Sequence, residues 1–393
     1  MLKDFLQQTS SKYHGMKLVY QYVYQHGPVT KTELVEKTGV KQTTVTRHLD
    51  YLLQNRLIKI SEYQESSGGR PPALYQIVPD TGYIIGVDLS RMVSTIVLVN
   101  ATLEEIDSFT FTMTEDHTPE KTLAIINHTM EQFLTTHHIS RDQLLGIGIG
   151  AVGPLNRKKG MIMDTKGFMA PGWRQFSIMD HLPSFQSEKI LLENGANVAT
   201  LQAYMQQLQQ EESILYCISG RGLRCGVLAE GRLLKNKTGD VSSFGEMIVD
   251  IERRQTLSSL ITYDYLLQEV NRRYLEEKET PFYPEAFTKN TLMQTFFNQL
   301  QQKDSIVQEV VLRSAEVYGV GLANIINVLQ PNQIILNSEL VRKYPPYYDK
   351  IVETAKLYID RKERVPIQFK QEKQKEKVIA RGAATMIWQS YFS

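Results

Sequence analysis

Apolar positions near the start of the chain recur every three or four residues, whereas further on they alternate or form short unbroken runs. Met16, Val19, Tyr20 and Val23 keep helical spacing and stop at His26-Gly27-Pro28, where glycine and proline end a helix. Thr30 followed by Glu33 reads as a capping box, in which each side chain accepts the other residue's orphan N–H, and it opens a short helix that ends at Gly39. After the tight Thr38-Gly39-Val40 turn, Val45, Leu49, Leu52 and Leu53 make the apolar stripe of a third helix reaching about Asn55. Leu57 to Glu62 and Ala73 to Val78 read as two strands around the polar loop Tyr63 to Arg70. The pattern predicts a winged helix-turn-helix over residues 1–79, an α module with a small β wing.

The polar face of the third helix gives this module its candidate chemistry. Lys41, Gln42, Thr43, Thr46 and Arg47 stand at the helix start, where a recognition helix meets base edges in the major groove. Glutamine pairs bidentately with adenine, arginine with guanine or phosphate, and a threonine methyl packs on thymine. In the wing, Ser66-Ser67-Gly68-Gly69-Arg70-Pro71-Pro72 brings the backbone close to DNA at Gly69 and offers the Arg70 guanidinium to a narrow minor groove. A plain solvated helix face and a plain linker arginine are the alternatives. The expected partner is a double-stranded operator bound by a homodimer or higher homo-oligomer, because one small recognition helix buries too little surface for specificity.

The remaining three hundred or so residues read differently. Strand-like runs cover Tyr83 to Leu89, Ser94 to Val99 and Ile106 to Met113. An amphipathic stretch near Glu120 to His137 follows, and then a strand from Leu144 to Gly150 leads into Ala151-Val152-Gly153-Pro154. Ile190 to Leu192, Ile214 to Ile218 and Ile334 to Leu336 repeat the strand pattern beside helical segments, which implies an α/β domain.

Composition narrows the function classes. With 393 residues and a formal net charge of +1, the chain has room for two or three domains and no global polyelectrolyte signature. Residues 1–80 hold ten Lys and Arg against seven Asp and Glu, so charge alone does not identify a DNA-binding module. Cys217 and Cys225 are the two cysteines, read as packed thiols with a redox pair as the alternative. The start of the chain lacks the apolar segment of a signal peptide, and no apolar run approaches the ~20 residues that span a bilayer. A cytoplasmic protein without membrane contact is expected.

Motif order then supplies a resemblance. GVDLS at 86–90, GIGIGAVGPLN at 146–156, PGW at 171–173, LENGANVATL at 192–201 and SGRGLRCGVLAEGRL at 219–233 follow the helix-turn-helix. FGEMIVD at 244–250 and GLANIINVLQPNQIIL at 321–336 complete the series. In this order they resemble the ROK family of repressors and sugar kinases, and the fused winged helix resembles its repressor branch. The resemblance implies a two-lobed, actin-like (ribonuclease H-like) α/β domain. Its first lobe would span 80–192, completed by a C-terminal helix at 380–393, and its second, 193–379, would serve effector binding and dimerisation.

Departures from the family pattern point away from catalysis. The kinases carry Glu-Asn-Asp-Ala-Asn, whose aspartate is the general base; here Gly195 follows Glu193-Asn194, and glycine cannot accept a proton. The phosphate cradle is replaced by Gly220-Arg221-Gly222-Leu223-Arg224, and the late glycine cluster near the adenosine by Asn337-Ser338-Glu339. The histidine of the family's zinc site corresponds to Glu246, and 250–261 holds no cysteine, so neither zinc nor any other cofactor is expected. By the same resemblance, the sugar-contacting positions become Asn194, Gly195, Ser243, Glu246 and Ile261. Arg221 and Arg224 stand where nucleotide phosphates would lie, and Arg91 lies beside the family's first phosphate loop, Asp-x-Gly-x-Thr, where here Asp88 is followed by Ser90 and Met92. The candidate effector site is therefore Asn194, Ser243, Glu246, Arg221 and Arg224. A sugar, a sugar phosphate or a protein is its expected occupant, guanidinium groups favouring an anion; the alternative is that the arginines pair with nearby carboxylates such as Glu230 or Glu339 and close a vestigial pocket.

The resulting expectation is a DNA-binding regulator, a repressor of carbohydrate-uptake or catabolic genes with a catalytically inactive kinase-like sensor. A regulator governed by a protein partner or an anionic metabolite, and an active sugar kinase, are the alternatives.

Overall fold

Glycine at every second position of one strand decides how the N-terminal part of the chain is assembled. A computed structural model describes residues 1–63, 71–163, 167–206, 213–235, 241, 243–283, 289–360, 367–372 and 377–392. They form two compact units, one of residues 1–198 with 376–393 and the other of 199–375.

The first unit begins with α1 (Leu2–Gln7), α2 (Ser11–His26), β1 (Val29–Thr30), α3 (Lys31–Thr38), α4 (Gln42–Gln54), β2 (Ile58–Tyr63) and β3 (Ala73–Ile77). These place the three expected helices and both expected strands within a residue or two of their sequence positions. Missing from the expectation were α1 and the two-residue β1, which pairs antiparallel with β3 and makes the hairpin a three-stranded sheet in the order β1-β3-β2. The capping box is only half made. Glu33 N–H donates to Thr30 Oγ1 at 3.2 Å, but the Glu33 carboxylate accepts from the Tyr22 hydroxyl at 3.2 Å instead of turning back. Gly39 ends α3 at φ 66°, a left-handed conformation that glycine adopts without penalty.

Then come β4 (Tyr83–Leu89), β5 (Val93–Asn100), β6 (Glu105–Thr112), α5 (Pro119–Thr136) and β7 (Leu144–Ala151). After three two-residue strands, β8 (Leu155–Asn156), β9 (Met161–Ile162) and β10 (Phe176–Ser177), follow β11 (Ile190–Asn194) and α6 (Gly195–Met205). The main sheet runs β11-β7-β4-β5-β6, parallel across its first three strands and antiparallel across the rest. Along β7, Ile147 and Ile149 face the core shared with Leu123, Ile126 and Met130 of α5. Gly146, Gly148 and Gly150 face the other way, as period-two alternation requires.

The second unit contains β12 (Ile214–Ile218), β13 (Arg224–Ala229), β14 (Arg232–Leu233), β15 (Ile248–Asp250), β16 (Gln255–Thr256), α7 (Leu257–Ile261), α8 (Tyr263–Lys278) and α9 (Lys289–Gln301). It continues with α10 (Ser305–Leu329), β17 (Gln333–Asn337), α11 (Glu339–Lys343), α12 (Pro345–Tyr358) and β18 (Gln368–Gln371). Its sheet, β14-β13-β12-β17-β18, repeats the plan of a parallel run joined to an antiparallel one. Asp304 caps the 25-residue α10, accepting from Val307 N–H at 3.0 Å, and α10 buries Val307, Val311, Tyr318 and Leu322 in this unit's core. Cys217 and Cys225 oppose each other on β12 and β13 with their sulfurs 3.5 Å apart, and burial pushes the Cys225 thiol well up. Among the described residues no helix is long and apolar enough to cross a membrane.

The chain returns to the first unit with α13 (Val378–Gln389), which lies on the glycine side of β7. A Cβ at Gly148 would stand 1.9 Å from the Ala383 carbonyl oxygen, and one at Gly86 of β4 2.0 Å from that of Ala380. Cβ atoms at Gly150 and Gly146 would lie 2.6 Å from Ile379 Cγ2 and 3.1 Å from Ile387 Cγ2. Ile379, Ala383 and Ile387 thus ride on Gly150, Gly148 and Gly146. The match is geometric, since four helical residues advance about 6 Å and two strand residues about 6.6 Å. Beyond Ile387, Trp388 enters the core formed by Met16, Val19, Tyr20 and Val23 of α2 with Leu34, Val45, Leu49 and Leu52. Leu2 reaches the same core, and Lys3 of α1 pairs with Glu188 at 2.7 Å.

Two measurements follow. Gly148→Ala should cost about 1–3 kcal/mol or more in urea unfolding, because a backbone carbonyl must move, whereas Gly222→Ala, which meets no atom within 4 Å, should stay within about 0.5 kcal/mol. His48, on the inner side of α4, is 8% exposed and its Nε2 has no hydrogen-bond partner among the described residues. Burial, helped by the Arg47 charge, holds its pKa below the ordinary 6.5. The unfolded chain therefore binds this proton first as pH falls through about 6.5, and native stability drops below that pH. Melting temperatures between about pH 7.5 and 5.5 should fall less steeply in His48→Leu than in the wild type; equal slopes would refute the assignment.

Candidate nucleic-acid interface and ligand site

α4 is amphipathic because its two faces meet different surroundings. Val45, His48, Leu49 and Leu52 are buried, whereas Lys41, Gln42, Thr43 and Arg47 are exposed and Thr46 is half-buried. Leu53 packs half-buried against the same core, and His48 joins the inner face, which the apolar pattern alone did not show. Thr46 donates its hydroxyl to the Gln42 carbonyl at 3.0 Å, turning its methyl outward from that bond. Arg47 has no ion-pair partner among the described residues. A cationic fork and a primary amide thus stand free on the first turn and a half of a helix whose back is fixed in a core. Gly69 and Arg70 lie outside the described residues.

The candidate ligand residues divide between the two units. In the first, β11 delivers Glu193 and Asn194 to the start of α6, all buried. Glu193 Oε1 accepts from Arg157 Nε at 2.8 Å, from Asn194 N–H at 2.8 Å and from Asn197 Nδ2 at 3.0 Å. The Arg157 charge and these donors compensate the burial of the carboxylate. Asn194 Oδ1 accepts from Ala196 N–H at 3.2 Å and caps the helix. Its Nδ2, and Oδ1 of Asn197, are buried and meet no partner among the described residues. A free donor and a free acceptor at one helix start are the hydrogen-bonding complement of a hydroxyl group. Gly195 offers no side chain between them. Arg157 and Asn197 escaped the sequence reading, although Arg157 follows closely on the Gly153-Pro154 turn of a motif that had been singled out.

In the second unit, Ser243 and Glu246 lie exposed on a single turn, with Gly245 between them packed so closely that a Cβ there would meet Ser258 Oγ at 1.9 Å. Ile261 is buried at the end of α7. The segment expected from the resemblance to replace a phosphate cradle packs inward. Leu223 is fully buried in the core, and the Tyr263 ring lies where a Cβ at Gly220 would come within 3.0 Å of it. Arg221 is half-buried with no carboxylate at ion-pair distance among the described residues, and Arg224 starts β13 opposite Ile218. Glu339 is engaged by Lys343 at 2.6 Å.

Where β17 ends, side chains form a hydrogen-bonded chain. Arg342 donates to Asn337 Oδ1 at 2.5 Å, Asn337 Nδ2 to the Tyr216 hydroxyl at 3.0 Å, and that hydroxyl to Glu372 at 2.9 Å. Burial and the Glu372 charge push the Tyr216 hydroxyl well above its ordinary pKa, which keeps it a donor. Among the described residues, no three His, Cys, Asp or Glu side chains gather as around a metal ion.

Comparison with known proteins places this arrangement. The xylose repressor of Bacillus subtilis is 22% identical over 352 residues, covering 87% of this chain and 86% of its own. The DNA-binding transcriptional dual regulator NagC of Escherichia coli is 22% identical over 334 residues, covering 82% of this chain and 79% of its own. A solved ROK family transcriptional regulator, described as a homologue of the Escherichia coli Mlc protein, has a TM-score of 0.74 at 16% identity and covers 97% of each chain. A ROK family glucokinase from Streptomyces griseus, solved with glucose and AMPPNP, has a TM-score of 0.63 at 18% identity and covers 78% of this chain and all of that one. The two solved structures share the actin-like kinase fold with the α/β part of this chain. The family model for ROK proteins matches residues 84–390, and the chain belongs to the ROK family.

Proposed function

We propose that this protein is a sugar-responsive transcriptional repressor that binds operator DNA as a homodimer through a winged helix-turn-helix in residues 1–79. The observation that carries the reading is the outer face of α4, where Gln42, Thr43 and Arg47 are exposed and Arg47 is unpaired among the described residues. On a helix surface, residues three or four apart are neighbours and can form an ion pair. Asp50 is three residues away, and no ion pair forms. Relatives at 22% identity named as a xylose repressor and an N-acetylglucosamine repressor support the same reading.

Loss of phosphoryl transfer fits this role. Gly195 supplies no general base, a contribution commonly worth about 10²–10⁴ in rate, and the inward Leu223 and the Tyr263 ring leave no row of small residues to cradle phosphates. The free polar atoms of Asn194 and Asn197 support a neutral, hydroxyl-bearing effector, consistent with relatives named for xylose and N-acetylglucosamine. Arg221, half-buried and without a carboxylate partner among the described residues, favours a second reading in which the effector carries a phosphate or carboxylate.

One experiment covers both. A duplex selected by the wild-type protein from a randomised pool should be bound less tightly by Arg47→Ala by about 1–3 kcal/mol, roughly 5- to 150-fold in anisotropy titrations. D-xylose, N-acetylglucosamine or one of their phosphates should release it from the wild type, and Asn194→Ala should blunt release by a neutral sugar while Arg221→Ala blunts release by a phosphate. Failure of the wild type to select any duplex would refute the reading.

A further inference from the structure

The Asn194–Asn197 segment and the DNA-binding module touch opposite ends of one helix. Ile379, in the first turn of α13, is wedged between β7 and α6. A Cβ at Gly150 would lie 2.6 Å from its Cγ2, and one at Gly195 would lie 3.3 Å from its Cδ1, closer than ordinary van der Waals contact. Nine residues on, about 13 Å along the axis, Trp388 is buried against α2. Its ring centroid is 4.6 Å from that of Tyr24 and 6.2 Å from that of Tyr20. The same turn is fixed from below, since the Tyr391 hydroxyl donates to the Leu145 carbonyl at 2.5 Å and Lys189 stands 4.0 Å over the Tyr391 ring.

Between these ends α13 has no slack. Ala380 and Ala383 lie with their carbonyl oxygens against Gly86 and Gly148, so the helix cannot approach the sheet further, and an interior packed to this density transmits a displacement instead of absorbing it. On the far side, α2 shares its core with Val45, Leu49 and Leu52 of α4, the inner face of the helix that presents Arg47. Packed contacts therefore run from Gly195 through Ile379, α13 and Trp388 to Tyr24, α2 and α4.

We propose that α13 couples the Asn194–Asn197 site to the DNA-binding module, so that a ligand at the start of α6 changes operator affinity by displacing Ile379. This rests on the function proposed above. A contiguous path is not itself coupling, which requires that a change at one end alter the free energy at the other. Gly195 and Ile379 allow that test without any ligand. Gly195→Ala places a methyl 3.3 Å from Ile379 Cδ1, and Ile379→Val removes that Cδ1 atom. With two tryptophans in the chain, Trp173→Phe leaves Trp388 as the sole reporter next to α2.

In the Trp173→Phe background, Gly195→Ala should change affinity for the wild-type-selected duplex by about threefold or more and shift Trp388 emission, and adding Ile379→Val should return both toward their starting values. Ile379→Val alone, the loss of one methyl group that a core tolerates, provides a second arm and should itself shift Trp388 emission. Unchanged affinity and emission in Gly195→Ala, or changes that Ile379→Val fails to reverse, would overturn the proposal. A wild type that selects no duplex would refute instead the function on which it rests.

Discussion

The carbonyl oxygens of Ala380 and Ala383 occupy the space that side chains at Gly86 and Gly148 would need, and much of the first unit is arranged around that contact. It allows α13 to lie closer to the sheet than a face of valine or isoleucine would permit. It also fixes the helix along the strand, since Ile379, Ala383 and Ile387 each sit over one glycine of the Gly146-Ile147-Gly148-Ile149-Gly150 run. With that face committed, Trp388 is left for the helices of the N-terminal module. The module's core and the outer face of the sheet, with Ile84, Val97, Val99 and Leu145, become a single apolar cluster. A module attached only by a linker would share no such cluster.

Two local arrangements distinguish the second unit from the start of α6. In the second unit, the turn after β12 is filled by its own side chains, with Leu223 in the core and the Tyr263 ring over Gly220. The end of β17 is closed by the chain from Arg342 to Glu372. At the start of α6, Gly195 packs against Ile379, while Glu193 accepts from Arg157 and from the Asn197 side-chain amide, which it thereby orients.

Much of this was legible in the sequence, and the reasons differ by element. The helices of the N-terminal module were readable because each ends in a local signal, Gly27-Pro28 for α2 and Gly39 for α3, and because Val45, Leu49 and Leu52 keep one face of α4. The strands β4, β5, β7 and β12 were readable from their apolar runs. Long-range partners were not. Glu33 turns to Tyr22 instead of closing its capping box, His48 is buried because α2 passes over it at Gly15, and Arg157 meets Glu193 across 36 residues. The glycines of β7 were noticed as a family motif, but that they form the seat of a helix more than two hundred residues later depends on tertiary packing that no local pattern encodes.

If α13 and the N-terminal module share one core, they should open together. Native-state hydrogen exchange can follow the amides of Val19, Tyr20 and Val23 in α2 beside those of Ala384, Ile387 and Trp388 in α13. The account predicts that both sets exchange with the same opening free energy and the same denaturant dependence, as one cooperative unit. Rapid, low-energy exchange in α2 while α13 stays protected would contradict it.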